Sequence, residues 1–142
     1  MLMDADLRGG KIGPLLDLNE GPGLGEQIHH HHREPDQAWV VLGLTEGLRF
    51  LPAGPAEKNP ASLLNTDVVS DLMAEARRSF DFIVVYAPPV MDTADLSILQ
   101  DHLDGAILAV RAGVTRKESV SGSISRLGEN KFIGTVMVGV KR

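Results

Sequence analysis

Two aspartates and an arginine stand close together near the start of the sequence, in MLMDADLR. Asp4 and Asp6 follow a short apolar run, and because side chains alternate along an extended chain, both carboxylates lie on the same side. Arg8 adds a cation two residues later. Two carboxylates and a cation at the carboxyl end of a buried strand are typical of a site for magnesium and phosphate. Taken alone, the motif is equally open to interpretation as a solvated strand end.

Length, composition and charge restrict the class of protein. The chain has 142 residues, of which 43% are hydrophobic, and this predicts one domain over residues 1–142 with a single core. A formal net charge of -5 with scattered lysines and arginines does not indicate a nucleic-acid partner. The sequence has no cysteine, so it forms neither disulfides nor thiolate metal sites. No apolar run reaches about 18 residues, so we expect a cytoplasmic protein that needs a partner to work at a membrane.

The second half of the sequence alternates helix and strand patterns. A helix is predicted from Asn59-Pro60 to about Ser79, another from Thr93 or Asp95 to about Leu103, and a third over residues 115–129. Strands are predicted at FDFIVVYAPPV, GAILAVRAG and KFIGTVMVGV, and the first of these has the continuous apolar run of a strand buried on both faces.

The first half is less regular. GPGLGEQI predicts a turn that enters a brief helix, and residues 26–37 predict a surface loop or a frayed helix. AWVVLGL is open to interpretation as a strand or a buried helical turn, whereas LRFLPAG predicts a short strand that stops at Pro52. Short connections between alternating helices and strands imply a doubly wound α/β fold, with a mainly parallel sheet and helices on both faces.

Polar or Gly/Pro-rich residues follow four of the predicted strands, at the edge of the sheet where such folds bind ligands. These segments are DADLR, PAG after LRFL, YAPP, and RAG after AILAV. Together with NPASLL and the order of the remaining segments, they resemble the cytoplasmic domain of bacterial tyrosine kinases of capsule and exopolysaccharide synthesis. This family lies within the MinD/ParA-like class of P-loop ATPases, and the resemblance runs from Met1 to about Val140.

The resemblance implies roles for individual residues. Asp-x-Asp-x-Arg is the family's second Walker-type element, so Asp4 becomes the candidate base, in vestigial form, and Asp6 the residue that acts on magnesium through water. Arg8 helps to hold this end of the nucleotide site or a neighbouring subunit, and Arg111 is a weaker nucleotide-binding candidate. Mg-ATP is the cofactor that the family implies.

Four departures from the family pattern argue against activity. No G-x-x-x-x-G-K-[ST] loop is present, and Lys11, in the nearest approach to one, is predicted to be a solvated loop lysine. Tyr86 occupies the position of the Walker B aspartate, where a neutral phenol supplies no charge to a metal. Val138 stands where an asparagine commonly contacts the base, and the tyrosine-rich tail is absent after residue 142. As a phosphate acceptor Tyr86 would have to be reached at the mouth of a buried strand, so the sequence favours a structural tyrosine with its ring packed and its hydroxyl at the edge.

The family begins with an interior strand that this sequence lacks, so we expect a truncated or split form. Either the flanking strands close up, or another chain fills the gap, or the sequence is a piece of a longer protein. The predicted partners are therefore this missing N-terminal segment or a membrane polysaccharide copolymerase, with a homo-oligomer as a further possibility. The copolymerase would bring the domain to the inner membrane face.

Three other groups of residues are predicted to be structural. His29–His32 is a loop that binds nickel or zinc only adventitiously, because consecutive residues on a regular backbone cannot all face one ion. Asp95 is explained by helix capping and the helix dipole. Residues 115–117 predict a solvated helix start, with contact to a nucleotide or a neighbouring subunit as the alternative.

The sequence thus favours a degenerate tyrosine-kinase-like P-loop domain in capsule or exopolysaccharide synthesis. It would act as a partner or regulator of a copolymerase, and the prediction leans against enzyme activity. One alternative is a fragment of an active ATP-dependent tyrosine kinase. Another is a MinD/ParA-like ATPase regulator unconnected to polysaccharide.

Overall fold

The structure is a computed structural model that describes residues 1–18, 21–128 and 130–140. The chain divides into two compact units, Met1–Pro88 and Pro89–Arg142. We call them unit 1 and unit 2 and describe each by itself. None of the helices in the described ranges is both long and apolar enough to cross a membrane.

A four-stranded sheet forms the centre of unit 1. Its strands are β1 (Leu2–Asp4), β2 (Leu42–Thr45), β3 (Leu48–Leu51) and β4 (Val84–Tyr86), in the order β2-β3-β1-β4. β1 pairs in parallel with both β3 and β4, whereas β2 and β3 form an antiparallel hairpin. AWVVLGL therefore ends in a strand, and LRFL is the predicted short strand.

The described residues of unit 1 also form the helices α1 (Ile12–Leu15), α2 (Leu24–His31), α3 (Pro60–Leu64) and α4 (Asp67–Ser79). Apolar side chains from strands and helices make the core of the unit, and the largest of those that are fully buried are Phe50, Met3, Leu7, Leu24, Ile28, Leu51 and Leu64. β1 lies in the middle of the sheet, so the motif that follows it begins from a rigid element.

The helix predicted from Asn59-Pro60 to Ser79 is two helices, and the prediction of a single one is wrong. It begins at Pro60 and ends at Ser79 as expected, but Asn65 and Thr66 leave the helical backbone conformation. The Thr66 hydroxyl donates a hydrogen bond to the Leu63 carbonyl over 3.0 Å. Short polar side chains that bond nearby backbone groups compete with the helix, and this explains the break.

The prediction of a surface loop or frayed helix over residues 26–37 is wrong for residues 26–31, whereas residues 32–37 are exposed and non-helical, as predicted. α2 continues to His31, and Gln27, Ile28 and His31 are buried. Leu24, Ile28 and His31 recur at spacings of four and three residues, which places them on one face of a helix. The sequence did not predict this helix because four consecutive histidines are polar, and polar residue types alone indicate a loop.

The prediction that β4 is buried on both faces is also wrong. Val84 is 60% exposed and Tyr86 36%, and Phe82, on the same side of the chain, is 81% exposed. β4 is the last strand of the sheet order and has β1 as its neighbour on one edge. An apolar run therefore predicted the strand but not its exposure.

Unit 2 contains α5 (Asp95–Leu99), a 3₁₀ turn (Gln100–His102), β5 (Ala106–Arg111), α6 (Lys117–Leu127) and β6 (Phe132–Val138). β5 and β6 pair in parallel. Ala94 is the N-cap of α5, so neither Thr93 nor Asp95 caps it, and Asp95 is instead its buried first residue. Within the described residues, three of the four strand pairings are parallel, which confirms the α/β class.

Candidate functional site

The carboxyl ends of β1, β3 and β4 lie side by side because these strands run parallel. Asp4 is the last residue of β1 and lies in register with Tyr86, the last residue of β4. Asp6 follows two residues later, and Pro52–Gly54 follow β3. The structure therefore brings Asp4, Asp6 and Tyr86 together at one sheet edge, as predicted.

Asp4 is fully buried, and both of its carboxylate oxygens accept backbone hydrogen bonds. Oδ1 accepts the Asp6 N–H over 3.0 Å, and Oδ2 accepts the N–H groups of Lys11 and Ile12 over 2.8 and 2.9 Å. These three bonds fix the loop after β1 and the start of α1 around the carboxylate. The role of Asp4 as a base stays a prediction, and the structure gives this side chain a second task.

Asp6 is the carboxylate that can still accept further hydrogen bonds or bind a cation. It is only 6% exposed, and its Oδ1 accepts the Arg8 N–H over 3.2 Å. Across the part of the chain that the structure describes, no hydrogen bond or ion pair to Oδ2 is formed. Oδ2 is thus the oxygen here that a cation or a polar ligand can engage. The Arg8 side chain is exposed at the rim, and the Lys11 side chain is exposed as predicted.

Tyr86 keeps its proton in this environment. Burial, followed by the negative charges of Asp6 and Asp4, raises the pKa of the phenol above its ordinary value of 10.0. A neutral phenol next to two carboxylates supplies a hydrogen-bond donor but no anionic charge. This position therefore does not add a third carboxylate to a magnesium site.

A cavity of about 330 Å³ opens beside Asp4. Its walls include Gly9, Gly10 and Gly54, so backbone forms much of its surface. A Cβ at Gly10 would lie 3.2 Å from the Ala53 Cβ and 3.6 Å from Asp4 Oδ2, so glycine keeps the cavity open there. Among its described lining residues there is no lysine or arginine, so the cavity offers carboxylates and backbone groups but no cation to a phosphate.

The N-terminus of α2 is docked on the segment after β3. The Leu24 N–H donates to the Pro52 carbonyl over 2.7 Å and the Gly25 N–H to the Ala53 carbonyl over 3.2 Å. A Cβ at Gly23 would lie 2.1 Å from the Gly54 Cα, so the two backbones approach too closely for a side chain. Because carbonyls already bind these N–H groups, they are not available for an anion.

Sequence analysis missed this docking of Gly23 against Gly54, and it also missed Glu26. The Glu26 carboxylate accepts the Gly23 N–H over 2.9 Å and lines the cavity beside Asp4. An acidic residue three positions after a helix cap is typical of a capping box, and this spacing could have identified it.

Several predicted residues belong to unit 2. Arg111, the last residue of β5, belongs to unit 2, and its backbone N–H donates to the Thr115 hydroxyl over 3.1 Å. Val138 ends β6 in the same unit. Arg116 is the N-cap of α6, and the side chains of residues 115–117 are exposed, in agreement with a solvated helix start. A nucleotide-binding role for Arg111 stays a prediction.

The four histidines have different environments. His29 Nε2 lies 3.3 Å from a Glu57 oxygen, and His30 Nδ1 lies 4.0 Å from a Glu34 oxygen. His31 is buried against Trp39, and His32 is exposed. Within residues 1–18, 21–128 and 130–140, no three His, Asp or Glu side chains are placed to hold a metal.

These groups do not make a complete Mg-ATP site. Magnesium needs several oxygen ligands, usually with at least one carboxylate, and Asp6 offers one free oxygen while Asp4 is engaged and Tyr86 is neutral. The described lining of the cavity beside Asp4 also lacks a lysine for the phosphates. The residues present therefore do not fit the cofactor on their own.

Comparison with known proteins identifies relatives. The chain is 31% identical over 143 residues to the tyrosine-protein kinase YwqD of Bacillus subtilis, a match that covers 99% of this chain and 60% of that protein. It is 25% identical over 143 residues to a putative tyrosine-protein kinase in the cps region of Klebsiella pneumoniae, covering 99% of this chain and 19% of that protein. No family model matches the chain.

Solved structures agree with these relatives. The kinase domain of the Escherichia coli tyrosine kinase ETK matches with a TM-score of 0.86 at 26% identity, over 99% of this chain and 56% of that one. The VpsO kinase domain matches with a TM-score of 0.86 at 26% identity, over 99% of this chain and 70% of that one. By sequence and by fold, the chain fits the bacterial tyrosine kinase (BY-kinase) family of P-loop ATPases.

Proposed function

We propose that this chain is a degenerate BY-kinase-like domain of capsule or exopolysaccharide synthesis that binds a partner and does not transfer phosphoryl groups. The observation that carries this proposal is how few carboxylate oxygens are available to a metal at Asp4, Asp6 and Tyr86, at the ends of β1 and β4. Both Asp4 oxygens accept hydrogen bonds from backbone N–H groups, and Tyr86 is a neutral phenol where the family resemblance implies a carboxylate. Among the described residues, Asp6 alone of the two aspartates has an oxygen without a hydrogen-bond partner. Phosphoryl transfer depends on metal ions that neutralise developing charge, and this set supports them poorly.

The proposed pathway and partner come from the relatives. The name of the Klebsiella pneumoniae relative places it in the cps region, and we propose that this chain acts in capsule or exopolysaccharide synthesis as well. The partner that the family resemblance implies is a membrane polysaccharide copolymerase. Bound to it, the domain would lie at the cytoplasmic side of the inner membrane.

The free edge of β4 gives this domain a place to receive another strand. The Val84 N–H donates to the Met1 carbonyl over 2.9 Å, and the Tyr86 carbonyl accepts the Ala5 N–H over 2.8 Å. Because backbone groups alternate in direction along a strand, Val85 presents its N–H and C=O to the opposite edge. Across the described part of the chain, no strand pairs there. An upstream segment or a partner strand would complete this ladder.

Isothermal titration calorimetry with Mg-ATP tests the proposed inactivity. We expect no saturable heat at micromolar concentrations from the wild-type chain. Saturable binding that depends on magnesium and is lost in Asp6→Asn would overturn the proposal. Asp6→Asn suits this purpose because Asp6 supports the backbone less extensively than Asp4 does.

Replacement of Tyr86 by aspartate provides the matched gain-of-charge variant. Tyr86→Asp would place a third carboxylate in register with Asp4, and we expect it to bind Mn²⁺, a spectroscopic substitute for magnesium, more tightly than the wild type. Electron paramagnetic resonance of free Mn²⁺ measures this directly. Equal Mn²⁺ affinity in both proteins would contradict the idea that Tyr86 is what weakens the metal site.

A second candidate function is that the chain is a fragment of an active tyrosine kinase. The chain spans about 60% of the length of the Bacillus subtilis relative, and an omitted neighbouring strand would leave the edge of β4 without a partner among the described strands. Expression of this chain joined to the sequence encoded upstream of it distinguishes the candidates. Tyrosine phosphorylation and Mg-ATP binding in the longer protein would favour the fragment, and their absence would favour the degenerate domain.

The isolated chain offers a further test of truncation. If a strand is missing, size exclusion and circular dichroism should show an associating or weakly cooperative protein. A compact monomer that melts cooperatively would count against a missing strand.

A further inference from the structure

A second cavity of unit 1, of about 320 Å³, lies between the end of α2 and one face of α4. His31 and Trp39 form one side of it, and Asp36, Asp71 and Glu75 also line it. We call it the His31–Trp39 pocket. Its lining residues differ from those of the cavity beside Asp4.

His31 is a buried polar group with unused hydrogen-bonding capacity. The residue is 7% exposed, and its ring stacks on that of Trp39 with centroids 3.9 Å apart and planes inclined by 9°. Within the described ranges, neither ring nitrogen has a hydrogen-bond or ion-pair partner. The ring nitrogens are not sealed from solvent, so a ligand in the pocket that His31 lines can form hydrogen bonds with them.

The pocket is also strongly acidic. Asp71 and Glu75 stand one turn apart on α4, and Asp36 lies in the segment that follows α2. None of the three carboxylates forms an ion pair with a residue that the structure describes, and the pocket lining contains no lysine or arginine. Like charges one helical turn apart repel each other, so a bound cation would relieve this repulsion.

The aromatic side of the pocket is held in place before any ligand binds. The Val40 N–H donates to Gln27 Oε1 over 2.7 Å, and Gln27 Nε2 donates to the Val40 carbonyl over 3.0 Å. Gln27 lies on α2, one turn before His31, and Val40 follows Trp39 directly. These two bonds fix the segment that carries Trp39 to the helix that carries His31. A preformed pocket loses less conformational entropy when it binds.

We propose that the His31–Trp39 pocket binds the side chain of an arginine from a protein partner. A guanidinium is planar, stacks on aromatic rings and donates several hydrogen bonds in a fixed plane. It therefore matches the aromatic pair, the imidazole without a partner and the carboxylates of α4. A lysine ammonium would meet the charge but not the planar arrangement. Metal ions are poor candidates, because the described residues do not group three metal ligands here.

Trp39 makes the proposal directly measurable, because it is the only tryptophan in the sequence. The probes are N-acetyl-arginine-methylamide, its lysine analogue and its uncharged citrulline analogue, each added to the wild-type chain at constant ionic strength. We expect a saturable change in Trp39 fluorescence with the arginine probe at about millimolar concentration, as befits one side chain. The lysine probe should bind about tenfold more weakly. The citrulline probe should give no saturable change.

Variants of the carboxylates test whether charge causes the binding. Asp71→Asn with Glu75→Gln should weaken arginine binding at least about tenfold, whereas Asp67→Asn, on the same helix but outside the pocket lining, should leave it unchanged. His31→Phe retains an aromatic ring and removes the nitrogens, so it should weaken binding and preserve the fold. Circular dichroism of each variant verifies folding.

The results that would overturn the proposal are equally defined. They are no saturable response to the arginine probe, an equal response to the citrulline probe, or unchanged affinity in a folded Asp71→Asn, Glu75→Gln double variant. Free arginine serves as the last comparison. If it binds more tightly than the capped probe, the pocket serves a small molecule and the protein-partner assignment is wrong.

Discussion

The three hydrogen bonds to the Asp4 carboxylate affect how its role can be tested. A variant that loses activity at this position also loses contacts to the backbone of Lys11 and Ile12. Loss of function in such a variant therefore does not identify a base. Asp6, with one backbone bond, is the better residue for testing chemistry.

Asp4→Asn should destabilise the fold far more than Asp6→Asn. An amide cannot accept hydrogen bonds on both sides, so at least one buried N–H group loses its partner, at a cost of about 2 to 4 kcal/mol. Asp6→Asn keeps an acceptor for the Arg8 N–H and should cost less than about 1 kcal/mol. Urea denaturation measures both values. Equal losses in the two variants would contradict the structural role of Asp4.

Tyr86 should titrate above its ordinary pKa. Absorbance at 295 nm follows its phenolate specifically, because Tyr86 is the only tyrosine in the sequence. Since burial, Asp6 and Asp4 raise its pKa in the folded state, the folded chain holds the proton more tightly than the unfolded one. The resulting contribution to stability is complete below pH 10 and is lost as the pH rises through the folded pKa. Tyr86→Phe should remove this part of the pH dependence, and a titration midpoint at or below 10 would contradict the prediction.

At the scale of elements, the attachment of α2 to the segment after β3 depends on two glycines. Gly23 and Gly54 let the backbones meet, and the first N–H groups of α2 then bind the Pro52 and Ala53 carbonyls. This contact positions Glu26 beside the cavity next to Asp4. The shape of that cavity thus depends on glycines more than on its polar side chains.

Gly23→Ala should therefore be strongly destabilising. The added Cβ would meet backbone atoms of Gly54, which cannot move aside as a flexible side chain would, and we expect a loss of about 3 kcal/mol or more. Gly43→Ala is the matched control, because the nearest atom to its Cβ is the Arg49 Nη1, 3.7 Å away. Thermal melting compares the two. A Gly23→Ala protein as stable as the control would show that the α2 contact is adjustable.

The sequence predicts secondary-structure elements better than it predicts the burial and the contacts of those elements. The α/β class and the alternation of helices and strands in the second half follow from hydrophobic patterns, which depend on local residue types, whereas the sequence left AWVVLGL undecided. The break at Asn65–Thr66 depends on a side-chain hydrogen bond of Thr66, and His31, near the end of α2, is stacked on Trp39, which lies beyond the helix. The exposure of β4 depends on how many strands flank it. Local hydrophobic patterns do not predict these side-chain contacts or the number of neighbouring strands.

The candidate site shows the same division. Asp4, Asp6 and Tyr86 could be placed together from the sequence because parallel strands end at one edge. The three hydrogen bonds that Asp4 accepts from N–H groups could not be predicted from the sequence, because they depend on the path of the backbone at residues 9–12. Gly23 and Gly54 are separated by thirty residues, and only the fold reveals their contact.

At the scale of the whole molecule, residues 1–142 are predicted to form one domain, although their contacts cluster in two units. Trp39 reports only on unit 1, so a change in unit 2 distinguishes one cooperative domain from two. Leu127→Ala removes a buried side chain of unit 2 at a cost of about 2 to 5 kcal/mol. If the chain is one domain, the Trp39 fluorescence transition should move to lower temperature by roughly 10 °C or more.

Ile133→Ala is the control for this experiment, because Ile133 is exposed in the same unit and its replacement should leave the transition unchanged. The Trp39 transition temperature could instead be unchanged in Leu127→Ala while calorimetry shows a second transition at a lower temperature. That result would show that the two units unfold as independent domains.

The open edge of β4 also has a practical consequence. No strand of the described residues pairs with this edge, and apolar side chains such as Phe82 and Val84 lie beside it, so it is a template for another chain, including a second copy of itself. Purified at high concentration, the protein should therefore form aggregates joined through backbone hydrogen bonds, which salt does not screen. A charged residue or a proline at Val85 should improve its solubility.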